Sequence, residues 1–327
     1  MWRRAVMVII AAAAGGAFYG WWSGRVPAAH PAAQVGNCKL PPTSAEHPGM
    51  VFVPGAEFTM GSNHSFLEEG PEIAAKVTGF WMDQTEVTNA QFAEFVAATG
   101  YLTLAERGIR ESEKPDAPTM RGSAVFLPRG DAEAMRSFVN WWQFVAGADW
   151  HHPAGPGTTN AGFAHPVVHV AYEDALAYAK WKGRTLPTEE QFERAAQGAG
   201  RKNASGKYAA NTWQGSFPSL NTNADGYAGT SPVGCFDASP AGLYDLIGNV
   251  WEWTTSPYYD RHDFADKKAH PLGFDPTQPD EQAVAVLKGG SYLCSPDYCM
   301  RYRPEARIGQ SRGLGASHIG FRTVLNP

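Results

Sequence analysis

Leu287-Lys288-Gly289-Gly290-Ser291-Tyr292-Leu293-Cys294-Ser295-Pro296-Asp297-Tyr298-Cys299-Met300-Arg301-Tyr302-Arg303 is the stretch on which the reading of this chain turns. A Gly-Gly-Ser run leads into two cysteines that flank a short segment with a proline, so the pair sits across a turn. Such a spacing permits a disulfide if the Cβ vectors face each other. It also lets two thiolates converge on a soft metal, and Cu(I) prefers thiolate sulfur with coordination left open for a third donor. Zinc fits less well, because its structural sites want four N or S ligands and no Cys-x-x-Cys pair is present. On spacing alone the disulfide is the commoner outcome. Neither thiol reads as central to a core.

Outward from this stretch, the composition describes the frame. Across 327 residues, hydrophobic residues make up 43% and charged residues 18%, which suits a globular chain with a substantial core. The 35 Gly and 24 Pro imply many turns, and 11 Trp must supply core volume that long regular elements would otherwise give. The expectation is an α+β class: a single irregular, loop-rich domain with little regular secondary structure. A net charge of -5 without a basic stripe gives no case for a nucleic-acid surface.

The N-terminus differs. Met1-Trp2-Arg3-Arg4 precedes an apolar run from Ala5 to Trp22, a basic flank and an interfacial aromatic pair. This reads as a signal or membrane anchor over residues 1–24, with an uncleaved anchor in residues 5–22 favoured over a cleaved signal peptide. Either way the body is exported. An Ala- and Pro-rich linker (25–48) then leads to a domain over 49–327. In an exported compartment the other two cysteines, Cys38 and Cys235, are expected to pair and pin the linker to the body.

Within the body, Met50–Val53, Glu57–Met60 and Phe80–Asp83 read as strands. Thr88 with Gln91 opens a helix that Gly100 closes, with Phe92, Phe95 and Val96 on its core face. Ala164–Val170 reads as a short apolar strand, followed by a helix from Tyr172 to about Lys182. Thr188 and Gln191 form a second capping box. The region from Glu106 to Asp149 carries no clear signal beyond an exposed loop at Arg110–Pro115.

The opening stretch, with Gly320-Phe321-Arg322 beyond it, resembles the C-terminal half of formylglycine-generating enzymes, whose signature is a Gly-Gly-Ser-Tyr run leading into Cys-x4-Cys. Gly248-Asn249-Val250-Trp251-Glu252-Trp253, His165-Pro166-Val167-x-His169-Val170 and Arg184-x-Leu186-Pro187-Thr188-Glu189 resemble further blocks of that family. Gly147-Ala148-Asp149-Trp150 and Asn211-x-Trp213-Gln214-Gly215 do so as well, in order from Met50 to Val324. Most of these blocks mark the framework, a C-type-lectin-like one, and a shared framework does not fix function.

The resemblance implies an oxidase for which Cys294 and Cys299 bind Cu(I) and the substrate cysteine joins as third sulfur ligand. Oxygen and a thiol reductant are consumed, and the cysteine of a Cys-x-Pro-x-Arg segment in an unfolded sulfatase becomes formylglycine. Ser291 and Trp251 would line the oxygen side of the pocket. It also implies two structural calcium sites. Asn211 and Asp225 with the carbonyls of Thr212 and Tyr227 would form one. Asp245 and Glu252 with the carbonyls of Gly248 and Val250 would form the other, Asp245 standing where the family often has Asn. Oxygen donors of this kind suit calcium, although Asn and Asp also favour turns in their own right. Arg307 aligns with a groove residue that binds substrate. His318 stands where the family has Asn, and Pro304 and Thr323 replace cysteines of animal members. A monomer is expected.

Three other readings compete. A non-catalytic binding or assembly module could use the same framework. A permanent Cys294–Cys299 disulfide would make a structural protein. An iron-dependent sulfoxide synthase would need a helical bundle with a His cluster, which this chain lacks. His165 and His169 could suggest a metal pair, but buried, hydrogen-bonded histidines are commoner and no third ligand is evident. His151-His152 reads as a loop feature, and Trp141-Trp142 as core or as a hydrophobic wall.

Overall fold

The first sheet orders Met50–Val53, Phe80–Asp83 and Val324–Leu325, with Ala56–Met60 and Ile73–Val77 as a separate pair. Strand β1 (Met50–Val53) buries Met50 and Val53, β2 (Ala56–Met60) and β3 (Ile73–Val77) form an antiparallel pair, and β4 (Phe80–Asp83) buries Phe80 and Met82. These elements belong to a computed structural model that describes residues 38, 40–110, 119–127, 141–279 and 283–327. The expected anchor, nearly all of the linker before residue 40, and most of the expected Arg110–Pro115 loop lie outside the described residues. Among the described residues, no helix is long and apolar enough to cross a membrane.

Helix α1 (Asn89–Thr99) starts with a reciprocal Thr88–Gln91 capping box and ends at Gly100 with φ +67°. Such a cap is worth about 1 kcal/mol. Phe92 and Phe95 are buried and Val96 packs at the edge of the same cluster. A second capping box, Thr103 with Glu106, opens the short α2 (Leu104–Arg107). Then come β5 (Ile109–Arg110), β6 (Thr119–Met120), β7 (Gly122–Phe126) and β8 (Trp142–Ala146), which pair as β5–β6 and β7–β8.

The apolar run 164–170 is not a strand. Val167 and Val170 are buried, but only Pro166 makes an isolated bridge, to Thr88. Pro166 lacks a donor for a ladder, and His169 at φ +61° turns the backbone out of the extended region. Helix α3 (Tyr172–Trp181) follows. Its Asp174 accepts from the Ala171 and Leu104 amides at 2.8 and 3.0 Å, and from the Tyr101 hydroxyl at 2.9 Å, which ties α3 to α2. Helix α4 (Glu189–Ala196) opens with the Thr188–Gln191 box.

The second sheet orders β11 (Arg307–Ser311), β10 (Val284–Lys288), β9 (Trp251–Pro257) and β12 (Ile319–Gly320), the last parallel to β9. All five residues of β10 are buried, as befits a central strand covered on both faces. β13 (Val324–Leu325) returns to β4, so both ends of the body share the first sheet. One core packs Phe92, Trp150, Tyr178, Trp253 and Phe321 around β9. A smaller one packs Phe80, Met82 and Val324 against Phe192 and Leu246. The result is the loop-rich α+β frame. Cys38 is bonded to Cys235, across 197 residues of chain. Such bonds persist in oxidising, extracytoplasmic compartments.

Candidate active site

Four segments are stitched together by three backbone bonds. Tyr292 N donates to Asn249 O at 2.9 Å, Trp251 N to His318 O at 2.8 Å, and Trp213 N to Cys294 O at 3.0 Å. Glycine permits the close approach. At Gly290 (φ +79°) a Cβ would lie 2.2 Å from Arg301 O, and at Gly248 (φ +81°) it would lie 2.2 Å from Asn211 O. These two glycines are therefore packing positions.

On this platform Cys294 and Cys299 are joined in a disulfide with Cα atoms 5.0 Å apart. Ser295 builds the loop between them: its amide donates to Tyr298 O at 2.9 Å, and its hydroxyl accepts from Tyr298 N at 3.0 Å and donates to Asp297 at 2.5 Å. Cys299 and Met300 adopt consecutive left-handed conformations, φ +71° and +51°, which non-glycine residues rarely do. Arg301, paired with Glu68, donates to the Cys299 carbonyl at 3.2 Å and lies over the Phe66 ring.

The two sulfurs differ in setting. Cys294 is 1% exposed and belongs to the main core with Trp251, so the expectation that neither thiol is central to a core fails for Cys294. Cys299 is half-buried, with Met300 exposed beside it. Ser291 is buried and its hydroxyl accepts from Leu293 N at 3.3 Å. Reduced, the pair offers two adjacent sulfurs, a donor set that fits a soft cation.

An aromatic wall borders the pair. Phe217 stacks on Tyr298 at 4.2 Å, Trp141 meets Tyr298 at 5.2 Å, and Trp142 meets both Phe126 and His318, at 5.6 and 4.5 Å. Tyr298, Phe126 and Phe217 went unread in the sequence, although Tyr298 lies inside the Cys-x4-Cys stretch. His318 is half-buried with its Nδ1 enclosed and unpartnered, and burial pushes its pKa down to about 3.

Arg307 is not in this groove. It is buried beneath β11, where Nη2 donates to Glu189 at 3.0 Å and Nη1 to the carbonyls of Glu68 and Tyr259 at 2.8 and 2.9 Å. An arginine whose fork is spent on internal acceptors has none left for a peptide. Burial alone would raise the Glu189 pKa, but Arg307 and Lys288 outweigh it and hold the carboxyl well below its usual range.

The expected calcium residues fall into two groups, the first half-buried at Asp225 and Tyr227 and the second buried. In the first, Asp225 accepts from the amides of Thr212 and Tyr227 at 3.1 and 3.0 Å, and Asn211 Oδ1 is buried without a hydrogen-bond partner. An orphaned oxygen beside a carboxylate fits a hard cation. The second group fits differently. Both oxygens of Glu252 are engaged by Arg322 at 2.7 Å, so its charge is already matched. Asp245 Oδ1 has no partner.

His165 and His169 do not form a pair. His165 Nδ1 meets Thr230 and His169 Nε2 meets Pro153 O, each at 2.9 Å, and burial lowers both pKa values to about 4. His151 lies 3.8 Å from Glu106 and 3.9 Å from Asp149 in the one three-residue group among the described residues whose spacing could hold a metal.

The sulfatase-modifying factor enzyme 1-like domain model matches residues 37–327. A formylglycine-generating enzyme of Mycobacterium tuberculosis is 45% identical over 293 residues, covering 85% of this chain and 98% of that protein. An inactive C-alpha-formylglycine-generating enzyme 2 of Mus musculus is 36% identical over 292 residues, covering 85% and 86%. PvdO from Pseudomonas aeruginosa shares the fold, with a TM-score of 0.52 at 21% identity, covering 86% of this chain and 95% of that one. With a domain match across nearly the whole described body and such identity over full-length relatives, the chain belongs to the sulfatase-modifying factor, or formylglycine-generating enzyme, family.

Proposed function

We propose that the chain converts a cysteine of unfolded sulfatases into formylglycine, using Cu(I) held by Cys294 and Cys299. The observation that carries this reading is the juxtaposition of those two sulfurs, one sealed in the core and one half-exposed, beside an aromatic wall. A relative named as such an enzyme, 45% identical, supports the conversion itself. The reaction balances when a thiol reductant donates two hydrogens. The substrate's thiol-bearing methylene and one dioxygen then give the aldehyde, one hydrogen sulfide and one water. Copper, when bound, supplies the one-electron chemistry that lets oxygen react with a thiolate.

The chain's own residues do the rest. Core packing fixes Cys294, and Arg301, paired with Glu68, holds the Cys299 carbonyl, so both ends of the cysteine loop are anchored. Trp142, Phe217 and Tyr298, half-buried and backed by the buried Trp141, give an extended peptide flat apolar contact and keep water from the sulfurs. Beside them a cavity of about 230 Å³, lined by Phe126, Leu127, Pro153, Val168 and Tyr292, accommodates an apolar flanking residue. Ser291 and Trp251, both buried against the cysteine loop, line the oxygen side. Calcium at the Asn211–Asp225 group braces the segment that bonds to Cys294 O.

The similarity to an inactive Mus musculus relative favours one second reading, a binding module with a permanent Cys294–Cys299 bond. Titrating mildly reduced protein with Cu(I) against a chromogenic chelator separates the two. One copper bound per chain, lost in Cys299→Ser, supports the oxidase. Reduced protein that takes up no copper supports the module.

A further inference from the structure

The 3-10 turn Leu67–Glu69 carries two consecutive carboxylates whose partners lie 233 and 234 residues further along the chain. Glu68 accepts from Arg301 Nε at 3.1 Å and also pairs with its Nη2, and the same guanidinium lies 3.9 Å from the Phe66 ring centre. Glu69, fully buried, accepts from Arg303 Nη2 through both oxygens. Each arginine directs another nitrogen to the cysteine loop. Arg301 Nη1 donates to Cys299 O at 3.2 Å, and Arg303 Nη1 to Met300 O at 2.6 Å. Two neighbouring carboxylates thus hold two neighbouring carbonyls.

Those carbonyls belong to the two residues in the disfavoured left-handed region, at φ +71° and +51°. The acidic turn is itself fixed: Glu68 O accepts from the buried Arg307 at 2.8 Å, and Glu69 O from Ser62 N at 2.9 Å. The two ends of the cysteine loop are therefore held by different means. Cys294 is packed into the main core beside Trp251, whereas the half-buried Cys299 is held by a polar clamp rooted in a distant segment. While the disulfide is closed, the covalent bond alone keeps the sulfurs together. Binding a soft cation requires that bond to be reduced, and the strained loop is then free to relax.

We propose that Glu68 and Glu69 are positioning residues for the cysteine pair: through Arg301 and Arg303 they hold the reduced 294–299 loop so that both sulfurs stay adjacent. Exposed ion pairs contribute little. These are enclosed, with the Glu68 side chain 18% exposed and that of Glu69 fully buried, and each is made by an arginine fork that lysine does not reproduce. The closed disulfide and the metal-bound pair both need adjacent sulfurs, and the empty dithiol does not. Loosening the clamp favours the empty dithiol and lowers the effective concentration of one thiol at the other. Affinity for Cu(I) and the tendency to re-form the disulfide therefore fall together.

The copper part of this inference rests on the function proposed above, and the disulfide part does not, so the two can fail separately. Glu68→Gln keeps the side chain's shape and removes its charge. Arg301→Lys keeps the charge and removes the fork, and is the second variant should Glu68→Gln fail to fold. Each folded full-length variant is equilibrated with mixtures of reduced and oxidised glutathione, two reduced molecules opening one bond and leaving as one glutathione disulfide. The 294–299 and 38–235 bonds are then quantified by alkylation and peptide mass spectrometry, and Cu(I) affinity of the reduced protein by competition with a chromogenic chelator. In both variants the equilibrium constant for closing the 294–299 bond and the affinity for Cu(I) are expected to fall about tenfold, with the 38–235 bond unchanged. Unchanged constants in both folded variants, or equal shifts of the two disulfides, would overturn the proposal. A shifted 294–299 equilibrium in protein that takes up no copper would support the clamp and remove the copper reading instead.

Discussion

Arg307 Nη2 donates to Glu189 Oε2 at 3.0 Å, and Nε sits 2.7 Å from Oε1, with both side chains buried between β11 and α4. Lys288, also buried, reaches Glu193 at 2.9 Å and Glu189 at 3.5 Å, which makes a charged layer beneath the sheet. Breaking such a layer leaves buried charged groups without their partners. Arg307→Lys keeps the charge and loses the fork, and is expected to cost on the order of 2–4 kcal/mol of stability. Chemical denaturation measures the loss, and the KM for a peptide substrate should stay within about twofold. A large rise in KM with an unchanged denaturation midpoint would return Arg307 to the substrate groove.

His169 is fully buried and its pKa is held at about 4 by burial, below the ordinary histidine value. A depressed folded pKa gives stability that is present above about pH 6.5 and is lost as pH falls toward 4. By pH 5 the loss attributable to this residue is about 2 kcal/mol. Asp174, raised to about 6 by burial, works in the opposite direction over the same range, so the comparison must be with a variant. His169→Asn suits the left-handed backbone at φ +61° and does not titrate. Its denaturation midpoint should fall less than that of wild type between pH 7 and pH 5, and equal falls would contradict the assignment.

The Cys38–Cys235 bond closes a loop with a sequence separation of 197. Cys38→Ser is expected to cost about 2–5 kcal/mol, read from urea midpoints, with peptide turnover retained. Loss of turnover in a folded Cys38→Ser protein would mean the linker contributes to the site.

The calcium proposed for the Asn211–Asp225 group is expected to stabilise by mass action, by about 2.7 kcal/mol at a hundredfold excess over Kd. A chelator should therefore lower Tm by several degrees, and added calcium should restore it. A melting curve indifferent to both treatments would remove calcium from the account.

Local signals made parts of this structure legible. The Thr88–Gln91 and Thr188–Gln191 boxes mark their helices because the reciprocal bonds form within four residues. The strands at Met50–Val53 and Phe80–Asp83 carry aromatic and branched residues suited to a pleated, half-buried surface. Ile73–Val77 went unread, since Ile-Ala-Ala-Lys-Val offers little contrast between its faces. The run 164–170 misled because apolar composition signals burial, not conformation, and the left-handed His169 is set by its amide bond to Ala316.

Nonlocal charge was the hardest part to read. Glu189 and Glu193 look like the solvated face of α4, and only Lys288 and Arg307, far along the chain, make that face internal. For the same reason the pairing of Glu252 with Arg322, 70 residues along the chain, was not legible. The cysteine pair was legible by spacing, but its aromatic wall needed β7, β8 and the 217 turn to converge on it.

The central claim meets its most direct test in mass spectrometry of a Cys-x-Pro-x-Arg peptide incubated with the protein, Cu(I), oxygen and a thiol reductant. The account predicts a mass loss corresponding to cysteine becoming formylglycine, dependent on copper and absent in folded Cys294→Ser and Cys299→Ser variants. Full conversion by either variant, or no conversion by wild-type protein with copper demonstrably bound at both sulfurs, would contradict it.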